Sequence, residues 1–348
     1  MYVHIPFCAR RCDYCAFATW TDRAHLMESY AQAVRTDLAG WVEAGLPPAA
    51  TVFFGGGTPS LLPSGLLSSI LADIPRRADA EVTVECNPEN VDEALMASYA
   101  RAGVNRVSIG VQSMDPATLR SLGRVHAVGS VAEAVRHARG QGIENVNLDL
   151  IYGAAGETRT SWTATLNAAL ELEPTHVSAY ALTVEAGTPL ARSPQRHPDE
   201  DLQADLYALA DRLLAESGYR WYEISNWCRP GRECRHNLLY WSGGDYLGLG
   251  CAAHSQRRGT RWWNVHTPER YVTQVGRGAS VRAGEETLDD SSRRRERLML
   301  ALRTRTGIPA AAITGNLEDL EGLLEVENGH ATLSLRGRLL ANEVAVRL

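Results

Sequence analysis

Residues 4–17 read HIPFCARRCDYCAF and contain three cysteines, Cys8, Cys12 and Cys15, separated by three residues and then by two. Thiolates this close along the chain can surround one small inorganic centre. Iron–sulfur cubanes are usually held by four cysteines, one for each iron, so three cysteines leave one iron open. An open metal position is typical of a site that binds an exchangeable ligand. The stretch therefore predicts a metal centre with one open position.

Two alternatives stay open on spacing alone. A structural zinc site would use these thiols with His4 or with a distant fourth ligand, although zinc cysteines more often come as two separated pairs. A disulfide would leave one of the three thiols over.

The composition excludes several classes of protein. The 348 residues carry a net charge of −6, so there is no basic footprint for nucleic acid. All 35 basic residues are arginine, which excludes a Schiff-base lysine. No apolar run reaches the roughly 18 residues of a membrane span. We therefore expect no nucleic-acid partner and no membrane span, while a peripheral membrane contact stays compatible with the sequence.

Cysteine usage predicts the compartment. Seven cysteines are an odd number and lack the density of a disulfide scaffold, which favours a reducing environment. No signal peptide is expected, because the cysteine cluster stands where its apolar segment would have to be. The sequence thus predicts a cytoplasmic protein.

Short apolar runs alternate with helical stretches in the first half of the chain. Six runs are predicted as buried strands: YVHI at 2–5, TVFF at 51–54, EVTVEC at 81–86, RVSIGV at 106–111, NVNLDLIYG at 145–153 and HVSAYAL at 176–182. Strands separated by helices form βαβ units with a parallel sheet, and six units are fewer than the eight of a closed barrel. The predicted fold is α/β, a partial (β/α)6 barrel.

The rest of the chain predicts two further parts. After a barrel domain at 1–218, which ends in a helix at about 200–217, residues 219–289 are rich in Trp, Gly and Arg and predict an irregular or small β extension. Residues 290–348 predict a small helical, winged-helix-like domain that ends in a hairpin of GHATLSL and RLLANEVAVRL.

Polar residues recur at the ends of the predicted strands. GGGTP at 55–59 follows TVFF directly, and its glycines would let the backbone approach a ligand closely. Glu85, Gln112 and Asp149 close or interrupt apolar strands, where an unpaired carboxylate is costly. Arg124 is a guanidinium suited to clamp a carboxylate, or else to a surface salt bridge. Together these residues predict a pocket at one rim of the sheet.

The ordered motifs YVHIPFCARRCDYCAF, GGGTP, VECNPE, RVSIGVQS, LGRVH and DLIYG resemble the radical S-adenosylmethionine (SAM) superfamily. Within it, the resemblance is to the branch that holds the oxygen-independent coproporphyrinogen III oxidases (HemN) and the HemW-type haem chaperones. It implies a 4Fe–4S cluster on Cys8, Cys12 and Cys15, with SAM on the open iron. It also implies SAM-binding roles for Tyr2, Tyr14, Gly56, Gly57, Thr58, Glu85, Gln112, Arg124 and Asp149, with Asp149 expected on the ribose.

Two features separate the chaperones from the oxidases within that branch. The oxidases carry a further cysteine two positions after the third ligand, where this chain has Phe17, and a long segment before the first motif. HNLLYW at 236–241 matches the HNxxYW motif of the chaperone group, which implies His236 as an axial haem ligand beside Tyr240 and Trp241. The alternative is that His236 and Asn237 cap a turn while the aromatic rings pack.

The remaining candidates are weaker. Cys228, Cys234 and His236 resemble a second set of metal ligands, although buried free cysteine is common. His254 is a second candidate for a haem contact. The Trp262–Trp263 pair could form a flat surface for a ligand, and hydrophobic packing explains the pair equally well.

Two hypotheses follow from the resemblance. The first is a haem chaperone that carries a 4Fe–4S cluster and SAM, binds haem and passes it to an acceptor protein; a homodimer is compatible with it. The second is a radical SAM enzyme, for example a coproporphyrinogen III oxidase or a related radical methylase, which would abstract hydrogen through a 5′-deoxyadenosyl radical. Phe17 and HNLLYW favour the first.

Overall fold

The computed structural model describes residues 1–313 and 320–347. Its centre is a sheet in which six parallel strands follow one another in chain order: β1 (Tyr2–Ile5), β2 (Ala49–Gly56), β3 (Arg76–Cys86), β4 (Arg106–Gln112), β5 (Asn145–Tyr152) and β6 (His176–Ala181). All six predicted strands are confirmed, and so is the α/β fold of a partial barrel.

Helices connect these strands and cover the sheet. They are α1 (Met27–Glu43), α2 (Ser64–Asp73), α3 (Glu93–Ala102), α4 (Pro116–Ser121), α5 (Gly129–Gly140), α6 (Arg159–Glu171) and α7 (Glu200–Glu216). An apolar stripe of α1 faces inward, where Tyr30, Val34 and Leu38 are fully buried in the main core. Asp199 caps α7, since its side chain accepts the Leu202 N–H.

The segment after α7 continues the same sheet at both edges. Strand β8 (Asn226–Cys228) pairs antiparallel with β6, and β7 (Arg220–Glu223) pairs antiparallel with β8. Helix α8 (Arg235–Trp241) follows, and β9 (Gly248–Leu249) pairs in parallel with β1. The sheet therefore has nine strands, and its order is β7-β8-β6-β5-β4-β3-β2-β1-β9. A domain boundary at residues 218 and 219 stays a prediction.

A second sheet of three antiparallel strands lies beyond β9. It consists of β10 (His254–Arg257), β11 (Thr260–Asn264) and β12 (Arg282–Thr287), with α9 (Pro268–Gly276) inserted between the last two.

The C-terminal hairpin differs from the predicted one. Helix α10 (Asp290–Ala301) leads to β13 (Ile308–Pro309), and the hairpin is formed by β14 (Leu324–Glu327) and β15 (His330–Leu333). The described part of RLLANEVAVRL, residues 338–347, is mostly helical instead, in α11 (Leu335–Leu339) and α12 (Ala341–Val346). Ala341, Val344 and Ala345 are buried at the i, i+3, i+4 spacing of a helix face. Residues 314–319 and 348 lie outside the described part of the chain.

Within the described residues, no helix combines the length and the apolar character that crossing a membrane would take.

One buried hydroxyl joins the first strand to the turn after β9. Tyr30 Oη on α1 donates to the His4 carbonyl at 2.8 Å and accepts the Cys251 N–H at 2.9 Å. The site described below begins at the end of β1, so this hydroxyl helps to hold the strand from which the site starts.

We expect Tyr30→Phe to lower the free energy of unfolding by about 1–3 kcal/mol, because the Cys251 N–H and the His4 carbonyl would be left buried without a partner. Tyr99→Phe is the matched control, since the Tyr99 hydroxyl is buried and has no hydrogen-bond partner among the described residues. Denaturant unfolding of both variants measures the difference; equal losses would contradict the role given to Tyr30.

Candidate functional site

The cysteine loop is held against the glycine-rich turn by main-chain hydrogen bonds. Gly57 N–H donates to the Ile5 carbonyl at 2.8 Å, and Thr58 N–H donates to the Phe7 carbonyl at 2.8 Å. A Cβ at Gly57 would lie 2.6 Å from the Phe7 carbonyl oxygen and 3.0 Å from Cys8 Sγ. Glycine is therefore required here by close approach, and this approach brings GGGTP beside the first cysteine.

Hydrogen-bond donors point at each of the three sulfurs. Thr58 Oγ1 lies 3.6 Å from Cys8 Sγ, Arg124 Nη1 lies 3.7 Å from Cys12 Sγ, and the nearby Phe17 N–H lowers the pKa of Cys15. Such donors stabilise anionic sulfur and tune iron–sulfur clusters.

The loop otherwise favours the neutral form of Cys8 and Cys15. Burial raises the pKa of Cys8 and of Cys15, and each of these thiols is raised further by the neighbouring cysteines. The buried Thr19 hydroxyl has no hydrogen-bond partner of normal geometry, yet it lies close enough to both thiols to act on their pKa values. Three crowded thiols with donors aimed at them fit a group that holds them as thiolates. No three His, Cys, Asp or Glu side chains in residues 1–313 and 320–347 form a ready-made ion site, so the ligand set stays a prediction.

His4 is not available as the fourth zinc ligand considered above. Its Nε2 donates to the Ala18 carbonyl at 2.9 Å, and its Nδ1 accepts the Tyr2 hydroxyl at 3.0 Å. Burial lowers the pKa of His4 to about 4, so the ring is neutral at pH 7 with both nitrogens engaged. Its role here is to hold the Tyr2 hydroxyl.

Arg124 belongs to a network behind the cysteines. Its Nη2 donates to Asn87 Oδ1 and to the Gly110 carbonyl, both at 3.0 Å, and Asn87 Nδ2 donates to Thr58 Oγ1 at 3.2 Å. Glu89 is 3.9 Å from the guanidinium, and Arg124 Nε is buried without a partner. The surface salt bridge is therefore only a minor part of its surroundings. Asn87 was not predicted as a site residue, although it lies in the VECNPE motif.

Two further predicted residues flank this network. Gln112 ends β4 with a φ of 64°, a left-handed backbone that is uncommon outside glycine and clusters at functional sites. Tyr14 packs against an apolar group that includes Leu122 and Ile151, and burial raises its pKa. Their SAM-binding roles stay predictions.

A cavity of about 250 Å³ is lined by residues of β1, β2 and α8, among others. It collects the predicted residues Tyr2, Gly56, Glu85, Asp149 and His236, and Phe17 lines it as well. The sequence separates His236 from the cysteine motif by more than 200 positions, whereas the fold places its ring in the same cavity as Tyr2. The predicted pocket is thus one space for part of the predicted SAM set and for the predicted haem ligand.

The two carboxylates of the cavity are both half-buried, but they are satisfied differently. Glu85 accepts the Gly56 N–H at 3.1 Å, and burial together with the nearby Asp149 raises its pKa to about 8. Asp149 accepts hydrogen bonds from Ser108 at 2.7 Å and Asn147 at 2.8 Å, while burial raises its pKa. The polar strand ends are therefore partly satisfied by their neighbours.

Helix α8 carries HNLLYW into the cavity because a glutamate on β3 caps it. Glu81 accepts the N–H groups of Arg235 and His236, both at 3.0 Å. A carboxylate at a helix N-terminus satisfies otherwise unpaired donors and meets the positive end of the helix dipole. Glu81 was not predicted as a site residue; only its place inside the buried strand EVTVEC could have pointed to it.

The His236 ring is enclosed. Its Nδ1 lies 2.8 Å from Thr51 Oγ1, its Nε2 lies 2.9 Å from Tyr240 Oη, and its face stacks on Phe53 at 5.1 Å between ring centres. The residue is 1% exposed, and burial lowers its pKa well below the ordinary value. His236 is a neutral imidazole, as a metal ligand must be, but the Tyr240 hydroxyl occupies the nitrogen that iron would take.

The weaker candidates lie elsewhere. His254 stacks on Trp263, and the Trp262 ring packs on Trp41 under the Arg282 guanidinium. Cys228 and Cys234 are fully buried, and burial raises the pKa of each to about 12 and about 11. No metal group forms around them in the part of the chain that the structure covers.

The titration of Glu85 gives a pH prediction. Between about pH 4.5 and about pH 8, Glu85 keeps its proton in the folded chain, whereas a glutamate with the ordinary pKa of 4.5 has lost it in the unfolded chain. The folded state binds more protons in this interval, so the free energy of unfolding falls as the pH rises. Glu85→Gln stays neutral and keeps an acceptor for Gly56. We therefore expect its melting temperature to exceed that of the wild type increasingly between about pH 5.5 and pH 8.5.

The exposed Glu144, changed to Gln, is the control for this titration, and its difference from the wild type should not vary with pH. A pH-independent difference for Glu85→Gln would show that Glu85 is ionised in the fold. Melting curves of the chain without added iron or SAM decide between these results.

Comparison with known proteins identifies the family. The family profile described as Radical SAM superfamily matches residues 2–169. The protein named Heme chaperone HemW from Mycobacterium tuberculosis (strain ATCC 25618 / H37Rv) is 42% identical, over 99% of this chain and 93% of its own. The proteins of the same name from Bacillus subtilis (strain 168) and Escherichia coli (strain K12) are 31% and 41% identical, over 99% and 74% of this chain and 97% and 69% of their own.

Among solved structures, the coproporphyrinogen III oxidase HemN of Escherichia coli superposes with a TM-score of 0.85 over 99% of this chain and 88% of its own. It is 22% identical, so the likeness shows the fold. The family profile, the full-length relatives and this fold agree with the resemblance read from the motifs. The chain belongs to the radical SAM superfamily and, within it, to the family of the HemW proteins.

Proposed function

We propose that this protein is a haem chaperone, which binds haem and passes it to an acceptor protein. The observation that carries the proposal is the position of the HNLLYW helix. Its His236 and Tyr240 line the same cavity as Tyr2, Gly56 and Glu85, which the resemblance gives to SAM. Full-length relatives that bear the name Heme chaperone HemW support the same function.

The surroundings of His236 suit a ligand that is exchanged. Thr51 holds Nδ1, which fixes the ring and leaves Nε2 for iron, as the second hydrogen bond of metal-bound histidines commonly does. Tyr240 covers Nε2 in the free chain, so haem binding displaces one hydroxyl and release restores its hydrogen bond. Because the Tyr240 hydroxyl can return to Nε2 when haem leaves, the site suits a protein that releases haem to an acceptor.

The haem would lie at the mouth of the cavity. A volume of about 250 Å³ is below the range of about 300–1,000 Å³ in which drug-sized ligands are held, so a whole porphyrin does not fit inside. Phe17 lines the cavity and is 67% exposed, which offers a flat apolar surface at its edge.

The resident groups would be a 4Fe–4S cluster and SAM. Cys8, Cys12 and Cys15 would hold the cluster, and Thr58, Arg124 and the Phe17 N–H would donate to its sulfur ligands. The cluster would supply one-electron chemistry. Glu85, protonated at pH 7, would offer its hydroxyl as a donor to SAM, while Asp149 would accept from the ribose.

The cytoplasm is the compartment we propose. All seven cysteines are free, four of them are buried, and a reducing compartment keeps such thiols in this state.

Anaerobic reconstitution should give about four irons and four sulfides per chain, because each thiolate binds a different iron of the cubane. Cys8→Ala should abolish this, whereas Cys86→Ala, which removes a buried cysteine of β3, should retain it. Iron and sulfide analysis with the visible spectrum measures both. Zinc in place of iron under strict anaerobiosis would refute the cluster assignment.

Titration with haem should give a shifted Soret band that weakens in His236→Ala and persists in His254→Ala. Tyr240→Phe frees Nε2 and should bind haem at least as tightly as the wild type. An unchanged spectrum in His236→Ala would place the iron ligand elsewhere.

The same reconstituted protein should be incubated with coproporphyrinogen III, SAM and a reductant. A haem chaperone binds haem and forms no product in this assay. Decarboxylated product would instead support the oxidase, the rival function.

A further inference from the structure

A buried arginine of the cavity has no assigned partner. Arg106 is the first residue of β4, is 1% exposed and lines the cavity together with Asp149 and His236. Its backbone is fixed in the sheet, where it stands opposite Thr83 of β3 and Asn145 of β5. The guanidinium is therefore held at the cavity by the rigid centre of the fold.

The hydrogen-bonding capacity of Arg106 is unused. A guanidinium has five N–H donors, and none of them forms a hydrogen bond or an ion pair with any residue in the described ranges; Nε is buried without a partner. Arg338, by contrast, pairs with both oxygens of Asp211 at 2.8 and 2.7 Å. Burying donors without acceptors is costly, so an arrangement of this kind indicates a ligand.

The neighbouring acids balance the charge of Arg106 but do not meet its donors. Glu81, Glu85 and Asp149 are carboxylates that interact with its charge, and none of them comes within ion-pair distance. The Glu81 oxygens accept from the N-terminus of α8, and the Asp149 oxygens accept from Ser108 and Asn147. The guanidinium therefore has negative charge nearby, but it lacks a hydrogen-bond acceptor such as a group with two oxygens.

We propose that Arg106 binds a carboxylate of the ligand that enters this cavity. Parallel N–H groups of a guanidinium match the two oxygens of a carboxylate, and the pair is strongest where water is excluded. A carboxylate arm fits a cavity of about 250 Å³ that is too small for a porphyrin. Arg124 does not line this cavity, and its Nη atoms are bonded to Asn87, Gly110 and Cys12 behind the cysteine loop.

Two ligands can supply this carboxylate. One is haem, whose propionates would reach Arg106 while the iron stays near His236; this source rests on the proposed function. The other is the amino-acid carboxylate of SAM. The subsite and its chemistry are the same in both cases.

The test compares ligand pairs that differ in the carboxylate. Haem and haem dimethyl ester are titrated by the Soret band, and SAM and 5′-methylthioadenosine by equilibrium dialysis on the reconstituted protein. Each is measured with wild type, Arg106→Gln, Arg106→Lys and the exposed control Arg77→Gln. Thermal unfolding reports whether each variant folds. Arg106→Lys keeps the positive charge but lacks the forked N–H donors of a guanidinium, and it replaces Arg106→Gln in the test if that variant does not fold.

We expect Arg106→Gln to weaken one carboxylate-bearing ligand by about 10- to 100-fold, with little effect on its partner that lacks the carboxylate. Loss for haem but not its ester assigns the propionate, and loss for SAM but not methylthioadenosine assigns the amino-acid carboxylate. Equal losses within both pairs, or none, would overturn the proposal. If wild type binds no haem, the proposed function fails, and the SAM pair still tests Arg106.

Discussion

The site depends on the close approach of two main-chain segments. The hydrogen bonds from Gly57 and Thr58 to the carbonyls of Ile5 and Phe7 extend the pairing of β1 and β2 beyond the ends of both strands. They fix the cysteine loop relative to GGGTP, and only glycine permits the distance. Because β1 lies inside the sheet, between β2 and β9, the cysteine loop starts from a rigidly held strand.

Local patterns predicted the six parallel strands and most of their helices, since buried strands and amphipathic helices have distinct periods. They also led to Glu85 near the end of β3 and to Asp149 inside β5. They failed at RLLANEVAVRL, where Val344 and Ala345 pack in a helix. That segment is too short for its periodicity to separate a helix from a strand.

Other residues could not be found from local patterns, because their roles arise from contacts between distant segments. Glu81 meets the N-terminus of α8 across more than 150 positions, and the sequence shows only a carboxylate in an apolar strand. Arg106 opens a strand and resembles a surface residue until the neighbouring strands bury it. The resemblance supplied His236, but not the hydroxyls of Thr51 and Tyr240 that enclose it.

Tyr2, Glu85 and His236 line a single cavity, so two ligands bound there would be thermodynamically linked. A ligand that moved any of these side chains would change the affinity for a second ligand, and the second would change the affinity for the first by the same factor. Under the proposed function, the occupancy of one end of the cavity would therefore set how readily the other end releases haem. A carrier built in this way can be switched between loading and delivery by a small molecule, without contact between that molecule and the acceptor protein.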